Sequence, residues 1–135
     1  MKWATVACSL ALAGLAGCSF GDDDEPDAPP ATVRAVVQTV ARLERAIARG
    51  DWQEVCRDLF TASARRRAGG RACPRLLRAD AEGLRRPTIR ILRVDVEGRR
   101  AAARVRSRSR GQRPLTDVIE LRRERGAYRV DALAG

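Results

Sequence analysis

The chain has 135 residues, which allows one domain with little length to spare. Its 44% hydrophobic and 33% charged residues exclude both a disordered tail and a multi-span membrane protein. It carries 27 Lys and Arg against 17 Asp and Glu, a formal charge of +10, and no histidine. The missing imidazole excludes Ser-His-Asp and Cys-His catalysis, His-rich metal sites and histidine pH switching.

The N-terminus is Met1-Lys2 followed by an apolar run over 3–17. One positive charge and then a run of apolar and small residues has the form of a secretory signal. The run is too short and too rich in alanine for a transmembrane helix. It ends Leu15-Ala16-Gly17-Cys18. That ending resembles the lipobox of bacterial lipoproteins, in which an aliphatic and two small residues precede a cysteine. The resemblance implies a signal peptide over 1–17, cleavage before Cys18, and a diacylglyceryl group on the Cys18 thiol. The membrane would then be a partner through that lipid, and the domain would be extracytoplasmic. The alternative is an ordinary signal peptide that happens to contain Cys18.

Residues 19–31 read SFGDDDEPDAPPA, with five acids, three prolines and almost nothing to bury. Such a segment stays solvated, so 18–31 is expected to be the lipidated cysteine and a linker reaching at most about 43 Å. The domain follows at 32–135. It holds 26 of the 27 cationic residues, all of them arginine, against 12 carboxylates. A site chosen for charge alone uses both lysine and arginine, so part of this surplus is compositional.

The first half of the domain has helical periodicity. Val33, Val36, Val37, Val40, Leu43 and Ile47 recur at three- and four-residue steps and predict one apolar stripe. Thr32 is the expected N-cap, and Gly50 the left-handed C-terminal residue. Asp51-Trp52-Gln53-Glu54 has the form of a capping box. The helix it opens is expected to run through Phe60 and bury Trp52, Val55, Leu59 and Phe60. Thr61 opens a short helical turn ending near Gly69-Gly70. A third helix starts near Cys73-Pro74, carries Leu76, Leu77 and Leu84, and stops before Pro87.

The period then changes. Residues 88–97 read TIRILRVDVE. Ile89 and Ile91 share one parity and Leu92, Val94 and Val96 the other, which predicts a bulged strand. Gly98-Arg99 turns the chain. Ala101, Ala103 and Val105 alternate with Arg104, Arg106, Arg108 and Arg110, a strand with one buried face. A third strand runs over 115–123 with Ile119 and Leu121 inward. Arg125-Gly126 turns into a last strand over 127–133 with Tyr128 and Val130 inward. Short connections favour an antiparallel meander.

The expectation is an α+β fold, three helices packed on a curved four-stranded antiparallel sheet. This order resembles the NTF2-like superfamily, a cone-shaped fold. Three stretches carry the likeness: Ala48-Arg49-Gly50-Asp51-Trp52 at the join of the first two helices, the bulged strand into Val94-Asp95-Val96-Glu97-Gly98, and the closing Gly126-Ala127-Tyr128-Arg129-Val130-Asp131. The last has Tyr where the family's strand usually has Trp. The resemblance implies a pocket between sheet and helices, which some members use with a carboxylate as general base.

Of four cysteines, Cys8 would leave with the signal and Cys18 would carry lipid. Cys56 and Cys73 remain and are expected to form a structural disulfide, in an oxidising compartment where disulfides persist. Free buried thiols are the first alternative. Redox or metal chemistry is the weaker one, because the spacing is not Cys-x-x-Cys and no histidine is available. The carboxylates that could serve as a base are Asp58, Asp80, Asp95 and Asp117. Asp95 should face away from Val94 and Val96, Asp58 stands beside Arg57, and Asp80 lies near Arg78 and Glu82. No catalytic residue is assigned, and no cofactor or metal is expected. Arg104, Arg106, Arg108 and Arg110 would form a row able to hold phosphates, and Arg65, Arg66 and Arg67 a second cluster. Outside the membrane the available polyanions are anionic lipid head groups and cell-wall polymers. Nucleic acid is not expected, since stacking aromatics are missing. The functional expectation is a lipid-anchored, non-catalytic binding or interaction module of the cell envelope, whose protein partner or apolar ligand has no signal in the sequence. The alternative is a small-molecule enzyme of the SnoaL or ketosteroid-isomerase type.

Overall fold

A computed structural model describes residues 30–134 of the chain. The expected signal segment over 1–17 and Cys18 lie outside the described residues. The first helix, α1, spans Ala31–Arg49, with Pro30 at its N-cap. The Arg34 N–H donates to the Pro30 carbonyl at 3.0 Å. Thr32 therefore sits inside the first turn and does not cap, because proline already sets the extended-to-helical transition two residues earlier. At the other end Gly50 adopts φ 68°. Its N–H donates to Ile47, and that of Asp51 to Ala46, the paired bonds of a Schellman motif. The buried stripe is Val36, Val40, Leu43 and Ala46; Val37, expected within it, is 39% exposed on the flank.

Asp51 caps α2 (Trp52–Glu54), its side chain accepting from the Glu54 N–H at 3.0 Å. The return bond of a capping box is absent, because the Asp51 N–H is already committed to Ala46. The Glu54 carboxylate instead accepts from Arg42 at 2.8 Å and Arg49 at 2.9 Å. The chain then widens into a π-helix over Val55–Leu59, closed by the Phe60 N–H on the Val55 carbonyl. Val55, Cys56 and Leu59 are buried, while Trp52 and Phe60 pack partly buried against the core.

Thr61 caps α3 (Ala62–Arg67), accepting from the Ala64 N–H. A 3-10 turn (Gly70–Ala72) leads into α4 (Cys73–Asp80), which has proline in its first turn. Among the described residues the helical half thus has four α-helices, a π-helix and a 3-10 turn, where the sequence predicts three helices and a turn. The last ends at Asp80, sooner than expected. Leu84 lies beyond it in the connection, 41% exposed, and Leu76 is 39% exposed. Only Leu77 packs on the core, because eight residues present too few turns to bring three leucines onto one face.

The four strands are β1 (Thr88–Glu97), β2 (Arg100–Arg108), β3 (Leu115–Glu124) and β4 (Ala127–Ala134), in sheet order β1-β2-β3-β4. Every neighbouring pair is antiparallel. The β3–β4 hairpin turns on Arg125 (φ 52°) and Gly126 (φ 78°), the two positive φ angles that a type I′ turn requires. The predicted bulge of β1 falls between Ile91 and Arg93. It corrects the parity reading in one respect: Leu92 is the extra residue, 50% exposed, while Ile89, Ile91, Val94 and Val96 all pack on the core. A second bulge, at Glu120/Leu121 against β4, had no signal in the sequence.

One face of the sheet carries the helices. Its side chains Ala101, Ala103, Val105, Ile119, Leu121, Tyr128 and Val130 meet Val36, Val40, Leu43, Ala46, Val55 and Leu59 in one core. Phe60 forms a parallel bridge to Val130, and the Thr61 N–H donates to the Val130 carbonyl, so the helical layer is hydrogen-bonded to the sheet.

Candidate functional site

The space between helices and sheet is where an NTF2-like pocket was expected. Here it is filled. Val36, Ala46 and Ala103 have no exposed surface, and Val40, Val130, Val105, Val55, Leu59, Ile119 and Leu121 retain at most 2%. Ala46 and Ala103 belong to the same continuous core as the larger Val, Leu and Ile side chains around them, which leaves that space without solvent. Tyr128, buried on this face, donates its hydroxyl to the Gly98 carbonyl at 3.1 Å.

The candidate carboxylates do not converge. Asp58 accepts from both Nε and Nη2 of its neighbour Arg57, at 3.1 and 3.2 Å. That hydrogen bonding holds its carboxyl below the ordinary aspartate value. Asp80 is exposed at the end of α4. Asp95 pairs with Arg93 at 2.8 Å on the solvent side of β1, as its parity predicts. Asp117 is half-buried and opposite Val105 in the register, so it shares the helix-bearing face, near the end of the sheet where β3 begins. A fifth carboxylate, Asp131 of the closing strand motif, is not among those four candidates. It accepts a 2.7 Å hydrogen bond from the buried Thr61 hydroxyl and so locks α3 to β4. No cluster of three or more metal-ligating side chains occurs among the described residues.

Cys56 and Cys73 form a disulfide, with Cα atoms 6.2 Å apart and both residues buried. It ties the π-helix to the start of α4 across 17 positions. Beside it Arg57, Arg65, Arg66 and Arg71 line a hollow of about 440 Å³. Arg67, expected with that cluster, turns instead to Ser63 and to the Asp131 carbonyl.

The opposite face of the sheet carries the arginines. Arg104, Arg106 and Arg108 stand exposed along β2 as predicted. Arg110 does not extend the row: β2 ends at Arg108, and Arg110 lies in the following turn with its N–H on the Arg85 carbonyl. The register adds two residues that the sequence reading left out. Arg90 and Arg93 of β1 lie directly opposite Arg106 and Arg104. Directly opposed residues share a face, so five arginines occupy one end of it. The other end is mixed: Asp95, Glu97, Arg100, Glu120, Arg122 and Asp131 line an open hollow of about 570 Å³.

No protein-family model matches the chain, and no curated protein sequence does. Solved structures do match. An NTF2-like protein of unknown function from Silicibacter pomeroyi DSS-3 is 20% identical, with a TM-score of 0.57 over 75% of this chain and 91% of that one. Another, from Shewanella baltica OS155, is 15% identical, with a TM-score of 0.54 over 75% and 89% of the two chains. The chain therefore has the NTF2-like fold, with helices packed on an open four-stranded antiparallel sheet. The likeness is one of fold; both relatives are of unknown function.

Proposed function

We propose that the chain is a lipid-anchored, extracytoplasmic NTF2-like domain that serves the cell envelope as a non-catalytic binding module. Its parts are a lipoprotein signal over 1–17, a lipidated cysteine and acidic linker over 18–31, and the domain over 32–135. The observation that carries the binding-module reading is the filled interior. An enzyme of the ketosteroid-isomerase type needs an enclosed cavity with a desolvated carboxylate or tyrosine inside it. Here core side chains occupy that space, the Tyr128 hydroxyl is committed to Gly98, Asp58, Asp80 and Asp95 lie outside it, and Asp117, on the helix-bearing face, stands at the end of the sheet where β3 begins. The compartment follows from the signal segment, and the buried Cys56–Cys73 disulfide supports it, since such a bond persists in oxidising surroundings. No helix among the described residues is long and apolar enough to cross a membrane. Attachment is assigned to Leu15-Ala16-Gly17-Cys18 by its likeness to a lipobox, where two acyl chains suffice for stable anchoring.

Metabolic labelling with a palmitate analogue tests the anchor. The wild-type chain is expected to take the label and to sediment with the envelope, and Cys18→Ser to do neither. A labelled Cys18→Ser protein overturns the reading.

A further inference from the structure

Four guanidinium groups on the outer face, those of Arg90, Arg104, Arg106 and Arg108, make no hydrogen bond or ion pair with any described residue. A fifth, Arg93, is held by Asp95 at 2.8 Å. The pairing places like charges directly across from each other twice, Arg90 against Arg106 and Arg93 against Arg104. Directly opposed like charges weaken a sheet. An arginine-rich composition explains why cations are common on this surface, but not why carboxylates are segregated away from them. Asp95, Glu97, Glu120 and Asp131 line the hollow at the other end, and Asp95, at its border, is the carboxylate that pairs with an arginine of the row. Leu92, turned out of the core by the bulge, stands half-exposed in sequence between Arg90 and Arg93.

We propose that this five-arginine plate is the surface on which the domain lies against an anionic phospholipid leaflet. The inference rests on the lipid-anchored reading above, and identifies what the module binds. Two neighbouring strands spread these charges over an extended surface, which suits an array of phosphates better than a single small anion. Guanidinium groups hold phosphate oxygens bidentately. A linker of at most about 43 Å keeps the domain within reach of the bilayer, so the plate can meet it when the domain turns that way. Each arginine near an anionic leaflet strengthens binding by roughly fivefold. Adsorption is therefore electrostatic, and added salt screens it.

The chain beginning at Ser19 keeps every described element and the complete core while lacking the anchor, so its binding reports on the plate alone. It is mixed with phosphatidylcholine vesicles made with and without phosphatidylglycerol, and co-sedimentation is measured at low and high salt. Binding is expected only with phosphatidylglycerol and at low salt. Arg104→Glu/Arg106→Glu should weaken it by about 25-fold or more. Arg65→Glu/Arg66→Glu, which changes the net charge equally at the disulfide hollow, should weaken it less than about fivefold. Thermal melts of all three proteins exclude unfolding, since the first variant relieves repulsion on the sheet. Equal binding to vesicles without phosphatidylglycerol, equal loss in the two variants, or unchanged binding by Arg104→Glu/Arg106→Glu overturns the proposal. So does binding of soluble polyphosphate without binding to phosphatidylglycerol vesicles. Such a failure leaves the palmitate result untouched, so plate and anchor are judged separately.

Discussion

The two faces of the sheet are built on the same strands with opposite chemistry. Along β2, Ala101, Ala103 and Val105 point to the helices and are at most 6% exposed, while Arg104, Arg106 and Arg108 point the other way into solvent. The inner face is apolar and joins the helices in one buried core. The outer face contributes almost nothing to burial, so it is free to carry charges that repel one another. Stability and surface chemistry are separated by strand parity, and substitutions on the two faces should behave differently.

The largest effect belongs to the inner face. Leu121→Ala removes a fully buried side chain from the middle of the core and should cost about 3–4 kcal/mol in urea denaturation. A cost under about 1 kcal/mol would show that the core is looser than its burial implies. Next comes the helical layer. Cys56→Ala/Cys73→Ala opens a 17-position loop and should cost about 3 kcal/mol, with vesicle binding by the folded protein unchanged. The smallest effect has the opposite sign. Arg106→Glu turns a like-charge pair with Arg90 into an attractive one and should stabilise the domain by roughly 0.2–1 kcal/mol. A measurable loss of stability would mean that the plate is not self-repelling, and would erase the contrast between the faces.

Much of the fold was legible in the residue order, and the reasons are local. Residues 88–97 announced both a strand and its bulge, because the apolar parity switches once within ten residues. Gly50 and Asp51 announced a helix end and a helix start, because one needs a left-handed backbone and the other supplies an acceptor to a free N–H. The errors are local rules overruled by a competing bond. Thr32 lost its cap to Pro30, and Glu54 lost its return bond because Ala46 had already taken the Asp51 N–H. The π-helix left no trace, since the i→i+5 pattern at Phe60 has no periodicity to read over a single turn.

The candidate site was less legible than the fold. Arg104, Arg106 and Arg108 could be placed on one face from alternation alone. Arg90 and Arg93 could not, because their membership depends on the register of β1 against β2, which the bulge shifts by one residue between Ile91 and Arg93. Arg110 was counted in because alternation continues on paper after the strand has ended.

By itself the sequence determined the α+β order of this protein, its antiparallel meander and which faces of β2, β3 and β4 are buried, since these follow from periods of 3.6 and 2 and from turn residues. It also paired Cys56 with Cys73 once the compartment was inferred. Only the tertiary structure decided that the interior is filled and that two strands pool their arginines into one plate. Those outcomes depend on how closely helix and sheet approach and on which residues stand opposite across a ladder, distances that no single segment encodes.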